Sequence, residues 1–165
     1  MPFTHFHLGP AVLLGLLLWK YLDFPTFVAA NVLIDWRAGL VFLGFWPPPR
    51  HAWVHTYLGA VLMAVVLGAV MIKLRPRIDG YLEELMFSQG FSNKKILSAA
   101  FVGTFLHVFI DAFHHPTMQP FTPLKIKPLY GVFTGPQLQA FCAACMFAAA
   151  PVFLWKTSHL DLDLP

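Results

Sequence analysis

The sequence has little charge. Asp, Glu, Lys and Arg make up only 12% of the 165 residues, whereas hydrophobic residues make up 58%. Soluble domains carry about 25% charged residues, so this composition excludes an ordinary soluble domain. The net charge of +3 is too small an excess to indicate a nucleic-acid partner. The length predicts one domain over residues 1–165.

Cysteine and the familiar catalytic motifs are also scarce. The two cysteines, Cys142 and Cys145, lie three apart in one apolar run, where they could form a metal or redox pair; the simpler interpretation is that they are small hydrophobes in helix packing. The chain has no HExxH motif, no Gly-rich phosphate loop and no Ser-His-Asp order. The best-known soluble metalloprotease and nucleotide-binding patterns are therefore excluded.

What the sequence does contain is a series of apolar runs that approach the roughly 20 residues needed to cross a bilayer as a helix. We expect them to form an all-α polytopic membrane bundle of about five transmembrane helices. The charged stretch 73–95 predicts a short interfacial helix at 78–87, and residues 117–136 form a Pro- and aromatic-rich loop. The five predicted helices cover residues 7–22, 25–45, 50–73, 96–115 and 137–155.

The distribution of Lys and Arg predicts the orientation of these helices. Lys20, the basic stretch 73–95 and Lys156 fall on one side if the spans alternate. Basic residues favour the cytoplasmic side. The prediction is a multi-pass protein of the inner (cytoplasmic) membrane, with its N-terminus outside and its C-terminus in the cytoplasm.

The fourth apolar run carries a polar stripe near its end. His107, Asp111 and either His114 or His115 are spaced three or four residues apart and so share a helix face. A carboxylate at membrane depth costs about 2.5–3.5 kcal/mol, so it indicates a function and needs a partner. Alternation of the spans brings four further groups to the same membrane level: His7, Asp35, His51 and His55.

Imidazole and carboxylate groups converging at one depth predict a divalent-metal site, most simply zinc. Simpler interpretations stay open for single residues. A histidine near a helix end is often an interfacial polar residue, and Asp35 could pair with Arg37 or Asn31.

Short motifs in this order resemble the YdjM-like, LexA-binding-related family of inner-membrane metal-dependent hydrolases. The pieces are HFHLGP at 5–10, ANVLID at 30–35, RHAWVHT at 50–56 and HVFID at 107–111, followed by a Pro-rich loop. RHAWVHT is similar to the family's His-Arg-Gly-x-Thr-His, with Ala52 and Trp53 in place of Arg-Gly. The family is in turn similar to zinc-dependent phospholipase C.

The resemblance implies a hydrolase with one or two divalent ions, most simply zinc. The ligands it implies, by position, are His7, Asp35, His51, His55, His107 and Asp111. Two ions would clamp the attacking and leaving oxygens of a phosphoester displacement. Asp35 and Asp111 are the candidate catalytic carboxylates, as general base or as the group that orients a histidine.

A site at the membrane surface under an aromatic loop predicts a lipid or amphipathic phosphorylated substrate, with membrane lipids as the surroundings. The residues expected to border it and contact substrate are His114, His115, Gln119, Lys125 and Lys127. Two alternatives remain: a small metal-ion or proton transporter, and a non-catalytic regulatory protein in which the metal only holds helices together.

Overall fold

The fold is an all-α bundle, as the composition predicted. The structure is a computed structural model that describes residues 4–48 and 53–160, and within those ranges it contains helices and no strand. The helices are α1 (Thr4–Leu17), α2 (Phe24–Leu33), α3 (Trp36–Phe42), α4 (Tyr57–Glu84), α5 (Asn93–Ala112) and α6 (Gly135–Leu160), with a 3-10 turn at Trp53–His55.

Three of the helices are long and apolar enough to cross a membrane. The candidate spans are Tyr57–Glu84, Asn93–Ala112 and Gly135–Ser158. With 14 and 10 residues, α1 and α2 are shorter than the roughly 20 residues that a span requires. The count of about five spans is therefore not confirmed, although five apolar helices are present.

The predicted second helix at 25–45 is wrong in its extent, because α2 ends at Leu33 and α3 begins at Trp36. Between them the N–H of Asp35 bonds to the carbonyl of Val32, and the carbonyl of Asp35 accepts from Gly39. The side chain of Asp35 makes no capping bond to α3. It instead reaches His55, 3.0 Å away, so the helix breaks where its carboxylate turns into the bundle.

The predicted helix end at residue 73 and the separate helix at 78–87 are also wrong, because α4 runs without interruption through Pro76 to Glu84. The reason is Arg75, which is fully buried. Its Nε lies 2.8 Å from Oδ1 of Asp23, and its Nη1 lies 2.8 Å from Oδ1 of Asp79 one turn further along. The charged residues after Lys73 therefore extend α4 and do not form a separate helix.

The bundle is built around α5, which packs on α2 and α4 and also contacts α1. The pair α1 and α2 forms a hairpin, and α6 covers the other side of α1. An apolar core joins the middle of α2, α4 and α5. Its buried members are Ala30, Ala64, Leu67, Met71, Ile96 and Ala100.

The buried pair of Asp23 and Arg75 gives a first prediction. Substituting Asp23→Ala leaves the guanidinium of Arg75 buried without its inner partner, and we expect a loss of about 3–5 kcal/mol in the free energy of unfolding. Asp79→Ala removes the outer, partly exposed partner of the same guanidinium and should cost at most about 1 kcal/mol. Reversible unfolding in detergent micelles measures both, and equal losses would contradict the assignment.

Candidate metal centre

The face of α5 that turns into the bundle carries three polar side chains at four-residue intervals. His107 and Asp111 lie on the helix, and the N–H of His115 bonds to the carbonyl of Asp111, which continues the last turn beyond Ala112. His115 therefore stays on the stripe, with its Nε2 3.4 Å from Oδ1 of Asp111. The ring of His114 lies instead against Gly135 at the start of α6.

A single 3-10 turn positions His55. The conformation of this turn is fixed by Thr56, the N-cap of α4. Its hydroxyl donates to the carbonyl of Trp53 and accepts from the N–H of Gly59. A side chain at Gly59 would collide with the backbone of Trp53 and Val54. The imidazole of His55 is fully buried as a result, and it points toward α5.

The close approach of α2 to α5 brings in the next groups. A Cβ at Gly103 would lie 2.6 Å from Cβ of Ala30 and 2.9 Å from the carbonyl oxygen of Phe27, so only glycine fits there. One turn beyond this contact, Nδ1 of His107 donates to the backbone carbonyl of Asn31 at 2.7 Å. Asp35 follows at the end of the same helix.

From α1, His7 completes the group. Its ring stacks on that of His107, with centroids 4.3 Å apart and planes inclined by 18°. Its Nε2 lies 3.0 Å from Oδ1 of Asp111. A side chain at Gly9 would collide with the backbone of Cys142 on α6, so the packing of α1 and α6 fixes the position of His7.

Four of these side chains form a cluster that could hold a metal ion, which we call the Asp35 cluster: Asp35, His55, His107 and Asp111. Each offers one ligand atom, and these atoms all lie within 4.8 Å of one another. From Oδ2 of Asp111, Nε2 of His107 is 3.3 Å away and Nε2 of His55 is 3.6 Å away. Both imidazoles also face Oδ1 of Asp35, at 3.5 and 3.0 Å respectively.

The two oxygens of Asp111 face different pairs of histidines. Oδ2 faces His55 and His107, whereas Oδ1 faces His7 and His115. This carboxylate is 2% exposed, and four imidazoles surround it: one from α1, one from the 3-10 turn and two from the α5 stripe. A carboxylate in this arrangement can serve two ligand groups at once.

The donor set fits a cation, and His107 shows why. A carbonyl only accepts, so the bond to Asn31 places the hydrogen of a neutral His107 on Nδ1. Its Nε2 then presents a lone pair to the oxygens of Asp35 and Asp111, and this buried nitrogen makes no hydrogen bond to any described residue. Nitrogen and oxygen ligands facing one another in this way need a proton or a metal ion between them.

The Asp35 cluster opens beside α3. Asp35 has a side-chain exposure of 11%, whereas His55 and His107 are fully buried. Burial acts to raise the pKa of Asp35, but the interactions with His107 and His55 outweigh it and hold the pKa well below its usual range. The carboxylate at the opening is therefore ionised at neutral pH.

Some of the predicted site residues are not part of the Asp35 cluster. His51 lies outside the described residues. Gln119 and Lys125 are exposed in the loop after α5. Burial and the nearby His115 lower the pKa of His114. Nζ of Lys127 donates to the carbonyl of Pro116, which follows His115 directly in the chain.

One contribution was not foreseen from the sequence, and another was foreseen only as one of two alternatives. His115 was a candidate both for the stripe of His107 and Asp111 and for substrate contact, and the structure places it on the stripe, beside the carboxylate of Asp111. Asn31 acts through its backbone carbonyl, which no side-chain pattern reveals. The four-residue spacing from Asp111 was the available signal for His115, and it did not separate this residue from its neighbour His114.

The glycine at the α2–α5 contact yields a second prediction. Gly103→Ala forces α2 away from α5, and we expect about 1–3 kcal/mol of destabilisation from the overpacking. Metal affinity should fall as well, because the contact of His107 with Asn31 lies one turn away.

Gly80→Ala is the matched control, since a Cβ at this position in α4 meets nothing within 4 Å. It should stabilise the helix by about 0.5–1 kcal/mol. Thermal unfolding and zinc titration of the two variants in the same detergent check both effects. Equal behaviour of the variants would contradict the packing argument.

Comparison with known proteins gives no independent assignment. No family model, curated protein or solved structure matches the chain. The resemblance to the YdjM-like family stays a prediction from its short motifs, and the function has to be inferred from the side chains of the Asp35 cluster and its neighbours.

Proposed function

We propose that this protein is a membrane-embedded, metal-dependent hydrolase that cleaves a phosphoester or phosphodiester of a lipid-borne substrate. The observation that carries the proposal is the position of Asp111. A buried carboxylate whose two oxygens face four imidazoles is a costly arrangement in an apolar bundle. Its cost is offset if cations bind on both of its sides.

We divide the ligands into two groups that share Asp111. The first is the Asp35 cluster, with Oδ2 of Asp111. For the second we take His7 and His115, which each lie near Oδ1 of Asp111. Imidazole nitrogen and carboxylate oxygen are the donors that catalytic zinc sites use. Zinc in two positions is therefore the occupancy that we propose.

Divalent ions bound there would polarise a phosphoryl oxygen and activate water as the nucleophile. The chain's own residues supply the positioning. The carbonyl of Asn31 fixes the ring of His107, and Asp111 holds the two ligand groups together. Asp111 is the shared ligand, and Asp35 lies at the opening, so we assign to Asp35, where it does not itself bind the ion, the acceptance of a proton from the attacking water.

The substrate class follows from the surroundings of the opening. His55 directly precedes candidate span α4, and His107 lies in the last turns of candidate span α5, so both histidines lie at the same end of these two helices, where a substrate would reach them at the membrane surface. Lys127 is tethered to Pro116, directly after His115, which places an ammonium group near the second ligand group. An anionic phosphate on a lipid is the ligand that suits this combination. The proposed setting is the outer side of the inner membrane, as the distribution of Lys and Arg predicted.

A transport function is less well supported. Toward the other end of α4 a second polar layer surrounds Arg75, but the buried apolar side chains of the core separate the two layers. On α4 these are Ala64, Leu67 and Met71, which lie between His55 and Arg75 in the chain. A proton or ion pathway needs polar groups along its length, and every buried residue of α4 before Arg75 is apolar or glycine.

Metal analysis tests the ligand groups. We expect about two zinc ions per chain in the wild type, as in two-metal hydrolase sites. His55→Ala removes a ligand of the first group only and should lose about one ion, whereas Asp111→Asn should lose nearly all of the metal, because both groups use this carboxylate.

His114→Ala is the matched control, because this imidazole neighbours His115 but lies against Gly135. Its zinc content should equal that of the wild type. Retention of two ions by Asp111→Asn, or an equal loss in all three variants, would contradict the proposed ligands. Helicity by circular dichroism separates the loss of metal from the loss of fold.

Turnover on a panel of lipid phosphates and phosphodiesters tests the reaction. Lys127→Gln should raise KM about fivefold with kcat nearly unchanged, since about 1 kcal/mol of substrate binding is removed. Lys94→Gln, at the opposite end of α5, should leave both constants unchanged. If a protein loaded with two zinc ions cleaves none of these lipids, the metal centre stands and the hydrolase proposal fails.

A further inference from the structure

A segment of the chain beside the Asp35 cluster exposes several large apolar side chains. Residues 36–48, which we call the α3 segment, comprise the seven-residue helix α3 and the turns that follow it, and α3 has no buried residue. The only charged residue among them is Arg37. The large apolar side chains exposed by at least 40% are Trp36, Phe42, Leu43, Phe45 and Trp46.

The α3 segment is nevertheless folded on itself. The rings of Trp36 and Trp46 meet edge to face with centroids 6.4 Å apart. The guanidinium of Arg37 lies 5.9 Å from the centroid of Trp46, and its Nη2 donates to the carbonyl of Pro47 at 3.4 Å. Gly44, with φ of 79°, makes the return turn. These contacts hold both indoles together on a surface that the bundle leaves exposed.

The position of the α3 segment along the length of the bundle follows from the residues next to it. It starts directly after Asp35, which lies 3.0 Å from His55. Three residues beyond His55, the exposed apolar face of α4 begins with Leu58 and continues with Leu62. The edge of the apolar surface of candidate span α4 therefore lies at the level of the Asp35 cluster, and the α3 segment lies at that edge.

A helix of seven residues is only about 10 Å long and cannot cross a bilayer. Exposed apolar patches of this kind mark a binding surface. Tryptophan, together with an arginine that can reach the headgroups, is the composition found at the boundary between headgroups and acyl chains. A partner protein would also bury the ring of Phe45. However, the composition of the α3 segment does not favour a protein partner, and the neighbouring exposed face of candidate span α4 favours lipid.

We propose that the α3 segment lies in the headgroup–acyl boundary of the leaflet on the side of the Asp35 cluster, with its aromatic side chains among the lipids. It holds the opening of the Asp35 cluster at the level of the phosphate groups. This inference concerns membrane contact alone, so it stands or fails independently of the hydrolase proposal.

Spin labels measure the environment directly. We would label Phe42→Cys and Phe45→Cys, each in a background of Cys142→Ala and Cys145→Ala, in nanodiscs of phosphatidylcholine and phosphatidylglycerol. The control is Gly90→Cys, because Gly90 is exposed between α4 and α5, lies outside the candidate spans, and a Cβ there meets nothing within 4 Å. The readout is the collision rate with oxygen, which concentrates in lipid, relative to a water-soluble nickel chelate.

The proposal requires a ratio of oxygen to nickel collisions at positions 42 and 45 that is several-fold higher than at position 90. A ratio equal to that at 90 would place the α3 segment in water and overturn it. Shielding of both labels from both reagents would overturn it as well, because a second copy of the chain or another protein would then cover the surface. Equal helicity and elution volume of the labelled variants exclude misfolding as the cause.

Discussion

The carboxylate of Asp111 is the group around which the polar part of this bundle is arranged. It is nearly inaccessible, and side chains from α1, from the 3-10 turn and from both ends of the α5 stripe converge on it. An ionised carboxylate in such a place is destabilising unless charge or hydrogen bonds compensate it. The close contacts at Gly9, Gly59 and Gly103 place the helices so that this compensation is geometrically possible.

The two buried polar layers differ in how their groups are satisfied. Around Arg75, Nε bonds to Asp23 and Nη1 to Asp79, while the side chain of Gln89 accepts from the N–H of Phe24 and donates to the carbonyl of Leu22. That layer is complete as it stands, which indicates a structural role. Nε2 of His107, by contrast, faces two carboxylates without a hydrogen bond in the described part of the chain. A buried atom left in this state indicates a ligand site.

The sequence predicted the fold class and the stripe of His107 and Asp111, because helical spacing alone places residues four apart on one face. It did not predict the helix break at Asp35, since the apolar run at 25–45 continues through it without a Pro or Gly signal. The choice between His114 and His115 depended on how α5 ends, which is a backbone property. Arg75 looked like the edge of a soluble stretch because its partner Asp23 is 52 residues away in the chain.

The break at Asp35 shapes both the Asp35 cluster and the exposed α3 segment beside it. Had α2 continued to residue 45, the carboxylate would have stayed on the side of a regular helix, and the α3 segment would have continued as part of the same apolar helix. The two residues between α2 and α3 have two effects. They turn Asp35 toward His55, and after them the chain continues as a separate exposed helix. The opening of the Asp35 cluster and the aromatic surface beside it are therefore two results of one local event in the backbone. A substrate held by its lipid tail in the boundary region would meet the one carboxylate of the Asp35 cluster that is not enclosed.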